Sequence, residues 1–296
     1  MKLRLTVLPF LLLLIAIPVC GLEIEVTAGL GNISFSPGGS YLGDDADPKP
    51  FTQRLFPILG TSVSGESGII RYQGGFRYNN ILRNQLYANL GIKMTYFTVE
   101  VGPFFGLFNS KGEPVNPGFS AALGLEFPGI IFLDAMASSS LGNTMGTKGS
   151  YTQRASGLTI GFWVPHVICS INLNTEEFIQ KREDNLLVED SHYKYFFRAD
   201  VYSKNIPFSI KIDIGYARLK RIFNAQRVSG TDIITETLDD DLKYFFIGLE
   251  TNYTINNRYR LFIAGEIPVY SWCVPKMKNP KSSFLFDIRT GVVMSF

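Results

Sequence analysis

The chain has 296 residues with 28 basic and 26 acidic side chains, 46% hydrophobic and 14% aromatic residues, 28 glycines and three cysteines. That charge balance excludes the basic excess on which nucleic-acid binding depends. Three cysteines are too few for a disulfide framework, and beyond the first 20 residues no apolar run is long enough for a membrane-spanning helix.

Lys2 and Arg4 precede an apolar run from Leu5 to Val19, after which polar, alternating sequence begins at Glu23. This pattern predicts a secretory signal peptide over residues 1–21, cleaved after Gly21. Ile17-Pro18-Val19 before Cys20 is a poor lipobox, so simple cleavage is favoured over lipid attachment. Removing Lys2 and Arg4 from the 28 basic residues leaves 26 against 26 acidic ones, a neutral mature chain of one domain, 22–296. Cys169 and Cys273 are expected to stay unpaired.

Period-two alternation then runs through the chain, the mark of strands with one apolar face. The predicted strands begin with Ile24 to Leu30, Ile70 to Tyr78 and a third from Leu86 to Val101. In the third the apolar phase slips by one at Tyr96-Phe97, read as a bulge because no Gly, Pro or Asn-Gly lies there to form a turn. Phe119 to Phe127, Ile131 to Ala137, Leu158 to Phe162, Val167 to Leu173, Tyr193 to Val201, Phe208 to Tyr216, Phe245 to Tyr253, Tyr259 to Ile263 and Phe284 to Phe296 complete about 12, within a range of 10–14. Residues 36–66, with Asp44, Asp45, Asp47 and four prolines, and residues 219–241 read as long polar loops. With both termini on one side, the short turns at 79–84, 128–129, 164–166, 204–206 and 255–258 fall on that side and the long loops on the other. Outer-membrane barrels have this asymmetry, with the short turns periplasmic.

The terminal strand carries Phe284, Phe286, Ile288, Thr290, Val292, Met294 and Phe296 on one face. Its close, Arg289, Gly291, Met294 and a terminal Phe296, resembles the signal by which the bacterial barrel-assembly machinery recognises outer-membrane β-barrel proteins of the porin-like class. The resemblance implies an all-β fold, a single transmembrane antiparallel up-and-down β-barrel in the outer membrane. It further implies periplasmic termini and, as partners, lipid, the assembly machinery and periplasmic chaperones.

With apolar faces toward lipid, the opposite faces line the lumen. Their charged candidates are Arg71, Arg77, Lys93, Asp134, Arg198, Asp200, Lys211, Asp213, Glu250, Arg260, Glu266, Asp287 and Arg289, with Glu25, Glu126 and Glu176. Cross-strand pairs are expected between the Arg198/Asp200 and Lys211/Asp213 strands and between the Arg260/Glu266 and Asp287/Arg289 strands. A barrel of this size is wider than one filled by its own side chains, so the reading is a channel for passive diffusion of small polar solutes. The alternatives are a surface-interaction barrel acting through its long loops and, third, an outer-membrane hydrolase. The only imidazoles are His166, at a turn, and His192, placed at a solvated loop edge. Ser191 and His192 are sequence neighbours that point to opposite faces of a strand, so they make no nucleophile pair. The aspartate clusters at 44–47 and 239–241 lack the spacing of a calcium loop, and no cofactor or metal motif is present.

Overall fold

The structure is a computed structural model that describes residues 21–33, 55–110, 112–141, 149–181, 187–203, 206–229, 232–256, 258–273 and 285–296. Residues 1–20 of the expected signal peptide and the aspartates at 44–47 lie outside them. The described residues form 14 strands: β1 Glu23–Gly31, β2 Phe56–Ser67, β3 Ile70–Asn79, β4 Arg83–Lys93, β5 Phe97–Leu107, β6 Val115–Phe127, β7 Ile131–Ser140, β8 Tyr151–Val164, β9 Val167–Lys181, β10 Leu187–Tyr202, β11 Phe208–Ser229, β12 Asp232–Asn256, β13 Tyr259–Cys273 and β14 Asp287–Ser295. Every strand pairs with its sequence neighbours, and β14 closes on β1 from Glu23↔Ser295 to Gly31↔Asp287, giving an up-and-down antiparallel barrel with no free edge.

Two strands exceed the sequence count of 12. The first is β2, taken from a stretch read as loop. Its outward positions Pro57, Leu59, Thr61, Val63 and Gly65 include one Pro, one Thr and one Gly, so the apolar alternation is faint. The second comes from the segment read as one bulged strand. A hairpin breaks it after Lys93, and the Met94 N–H donates to the Phe97 carbonyl at 2.7 Å. Lys93 pairs with Thr98 and Ile92 with Val99. Partner numbers in this hairpin sum to an odd value, so even positions face lipid on β4 and odd positions on β5. The phase slip at Tyr96-Phe97 is therefore the chain reversing.

The two missed strands restore each other's parity, with one local consequence. The end that carries both termini holds the connections at 68–69, 94–96, 128–130, 165–166, 203–207 and 257–258, while the turn at 80–82 lies at the opposite end with the long connections. Residues 219–241 are likewise not a loop. β11 and β12 continue through them as one paired hairpin to Ser229↔Asp232. At 22 and 25 residues these strands far exceed the roughly 10 that cross a bilayer, so they project beyond it.

The outer surface gives the bilayer's position. On β12 the outward residues Phe245, Ile247, Leu249 and Tyr253 are exposed and apolar; the nine residues of tilted strand they span cover roughly 20 Å of hydrocarbon. Tyr195, Tyr216, Phe245, Tyr270 and Trp272 form a chain of ring contacts at 5.5 to 6.4 Å along the upper edge of this band. Immediately beyond it the same face turns charged, with Arg218–Asp241 at 2.7 Å and Lys243–Asp241 at 3.6 Å. Tyr96 stacks on Phe127 at 5.5 Å near the terminal end. Aromatic girdles bounding an apolar band are what a lipid-facing barrel requires. Cys169 sits in this band on β9, free.

Candidate functional site: a charged lumen under an inward turn

Hydrogen bonds between strands that are not neighbours in the ring define the inside. Asn79 of β3 donates to Glu176 of β9 at 3.0 Å, and Lys194 of β10 forms an ion pair with Glu266 of β13. Alternation from these residues turns every charged candidate inward: Arg71 and Arg77 on β3, Lys93 on β4, Asp134 on β7, Arg198 and Asp200 on β10, Lys211 and Asp213 on β11, Glu250 on β12, Arg260 and Glu266 on β13, Asp287 and Arg289 on β14.

Their pairing follows register. Arg198 grips Asp213 through two hydrogen bonds of 2.7 Å, Lys211 reaches Glu250 at 2.7 Å, and Arg71 reaches Glu100 at 3.1 Å. Lys93 pairs with Glu66 at 2.9 Å close to the terminal end. The pairs expected between β13 and β14 do not form. Register sets Glu266 opposite Asp287, Arg260 opposite Val293 and Arg289 opposite Ala264. Arg260 instead lies 3.8 Å from Glu23 and Arg289 4.0 Å from Glu250. These two guanidinium side chains are 47% and 49% exposed, against 30% for Arg198. Asp200, opposite Lys211, has its Oδ1 buried without a hydrogen-bond partner, because the lysine turns to Glu250.

Sequence reasoning missed the feature that shapes this lumen. The turn at 80–82 folds into the barrel. Asn79 caps it, its Oδ1 accepting the Ile81 and Leu82 N–H groups at 3.0 and 2.7 Å. Arg83 leaves it with φ 61°, a left-handed conformation that reverses the chain. The Gln153 amide of β8 donates to the Leu82 carbonyl, and the Arg83 guanidinium lies 5.7 Å over the Phe178 ring of β9. Ile81 crosses to the far wall, where it joins a buried cluster with Ala217, Leu219, Leu242, Tyr244 and Phe246, closed at the side by Ile33 and Leu285. These inward positions on β11 and β12 are apolar where the neighbouring ones are charged, which was the available signal: Leu242, Tyr244 and Phe246 alternate with an apolar outer face, so the strand reads as apolar on both sides. The lumen is thus polar from the terminal end upward and apolar where the turn rests on the far wall.

His192 is in strand β10, not at a loop edge. Its Nε2 lies 3.0 Å from the Tyr244 hydroxyl, which stands 3.5 Å from Glu266. Asp190, on the same face, is bound by both arms of Arg221 in a buried pair. Ser191 occupies the opposite face and hydrogen-bonds Glu189 at 3.5 Å. His166 occupies the two-residue turn between β8 and β9 with φ 68°. Among the described residues no group of three or more metal-ligating side chains is assembled.

In the terminal strand Arg289 and Gly291 face inward and Met294 outward, and Phe296 is exposed with its N–H bonded to the Leu22 carbonyl at 2.8 Å. A Cβ on Gly291 would collide with the Phe262 ring and lie 2.6 Å from the Val26 carbonyl oxygen, so only glycine lets β1, β13 and β14 approach this closely.

No protein-family model matches the chain, and no curated protein matches it in sequence. Solved structures resemble it in fold. A bacterial polysaccharide outer membrane secretin aligns over 93% of this chain and 98% of its own at 10% identity and a TM-score of 0.50. The fold is that of an outer-membrane β-barrel. An outer membrane channel from Pseudomonas putida F1 aligns over 95% of this chain and 97% of its own at 10% identity with a TM-score of 0.48, and a porin over 94% and 100% at 11% with 0.42. At these identities the likeness concerns architecture, and function in this barrel has to be argued from its own lumen.

Proposed function

We propose that this barrel is an outer-membrane channel for passive diffusion of small polar solutes, constricted by the inward turn at 80–82. The observation that carries the reading is a wall of interleaved, partly solvated charges, Arg71, Arg198, Lys211, Glu250, Arg260 and Arg289, inside a closed ring of 14 strands. Side chains alone do not fill a barrel of this width, so water occupies the polar part, and the turn with its apolar cluster sets the narrowest level. The connections and the projecting β11–β12 hairpin favour periplasmic termini, since outer-membrane barrels keep short turns on the periplasmic side. Assembly machinery, chaperones and lipid are the partners this topology calls for, and catalysis is not part of the reading. A surface-interaction role rests on the β11–β12 hairpin, which presents paired backbone beyond the band.

Planar-bilayer conductance of refolded protein, run beside lipid- and peptide-hydrolysis assays, tests the proposal. Discrete small conductance without turnover is expected, rising severalfold when Ile81 and Leu82 are both changed to glycine. Absence of conductance in wild type and in the double variant alike, or turnover abolished by His192→Ala, overturns it.

A further inference from the structure

Just below the inward turn, toward the terminal end, the wall formed by β3 to β7 hollows into a cavity of about 180 Å³. At roughly 30 Å³ per water it holds about six waters, the space of a single small organic ring. Its lining combines two chemistries. Tyr87, Phe104 and Met136 present apolar surfaces, while Arg77 and Asn89 present hydrogen-bonding groups. Phe104 is held by close packing against Gly118, where a Cβ would collide with the ring.

The polar groups are positioned rather than mobile. Arg77 lies with its guanidinium 5.8 Å from the Tyr87 ring centroid and its Nε donating to Gln85 Oε1 at 2.6 Å. Ser120 donates to Asn89 Oδ1 at 2.7 Å, fixing that amide. Two polar atoms in the surrounding wall, the Ser138 hydroxyl and the Gln85 amide nitrogen behind Arg77, are buried without a hydrogen-bond partner and are closed off from the cavity itself. Charge narrows the ligand further. Arg77 and Glu100 both face the cavity, and each already has a counter-charge, Arg71 on Glu100 at 3.1 Å and Glu176 near Arg77, so a ligand with net charge of either sign finds no unpaired partner there.

We propose that this cavity binds a neutral polyhydroxy solute of monosaccharide size, its C–H face against Tyr87, Phe104 and Met136 and its hydroxyls on Arg77 and Asn89. The inference rests on the reading of the lumen as a solute path and names the class of solute that dwells in it. Apolar faces with a few convergent polar groups are the ordinary make-up of a small-molecule site, and its place beneath the turn makes it the last station before the constriction.

Titration calorimetry on the refolded full-length barrel, with D-glucose, D-glucuronate, D-glucosamine and glycine as probes, tests this apart from conductance. Saturable glucose binding is expected with Kd of the order of millimolar, about tenfold tighter than either charged sugar. Arg77→Gln is expected to weaken it about fivefold and Asn89→Leu to abolish it, with the heat-modifiable folded form retained in both. Tighter binding of glucuronate, glucosamine or glycine than of glucose overturns the proposal. So does absence of saturable binding by any probe, which means that the cavity holds water only, and so does binding that both variants leave unchanged. Conductance measured on the same preparation separates the two readings: a conducting barrel that binds no sugar refutes the site alone, and a sugar-binding barrel that never conducts refutes the channel and leaves the site standing.

Discussion

Arg198 and Arg289 line the same lumen, yet register gives them different work. Arg198 holds Asp213 through a two-pronged hydrogen bond in a partly dry position, whereas Arg289 stands half exposed 4.0 Å from Glu250. Charge-assisted bidentate pairs are among the stronger polar contacts, and long, solvated pairs contribute little. Arg198→Glu is therefore expected to cost about 2 kcal/mol, since it loses the bond and sets two carboxylates together, read as a lower urea midpoint. Arg260→Glu with Arg289→Glu should leave that midpoint nearly unchanged and move the reversal potential toward cation selectivity. Equal destabilisation by both sets, with selectivity unmoved, would mark the lumen charges as structural. Gly291→Val makes the complementary case: the collision with Phe262 and the Val26 carbonyl should abolish the heat-modifiable form on gel electrophoresis.

Strands divide into a lipid-crossing part and, in β11 and β12, a projecting part, and substitutions should separate them. Ile212 and Leu249, paired across β11 and β12 on the outward face, lie inside the apolar band; arginine at either is expected to destabilise the barrel by about 2 to 4 kcal/mol near the bilayer midplane. Removing 223–238 and rejoining the strands by a two-residue turn should leave the folded barrel intact, since the excised pairs stand beyond the charged edge at Arg218, Asp241 and Lys243. Loss of folding on that excision would place those pairs within the barrel's cooperative core. Deleting Phe296 removes the outward aromatic at the seam where β14 meets β1, and membrane-integrated protein is expected to fall; wild-type amounts of folded protein would deny it a role in assembly.

Across the whole molecule, the strand-crossing faces were legible because lipid demands strict alternation. β3, β6, β7, β9 and the lipid-crossing parts of β10 and β12 stand out for that reason. Where lipid is absent the demand lapses, so the paired ends of β11 and β12, with Ile233, Ile234, Thr235 and Thr237, read as loop although their β-branched content suits strands. The hairpin at 94–96 went unread because turn chemistry with Gly or Pro is common but not obligatory. The odd pairing sum at Lys93↔Thr98 left only the phase slip as its trace.

Thus the chain's alternation and closing pattern determined by themselves that an all-β barrel forms, which faces meet lipid and which charges turn inward, because each of these follows from local period two. Only the tertiary structure decided which charges pair, since one residue of register chooses between Asp213 and its neighbours as the partner of Arg198. It alone decided that a three-residue turn enters the lumen and rests on Tyr244 and Phe246 from the opposite wall. That contact joins residues more than 160 positions apart, and no local pattern encodes a distance set by how many strands close the ring.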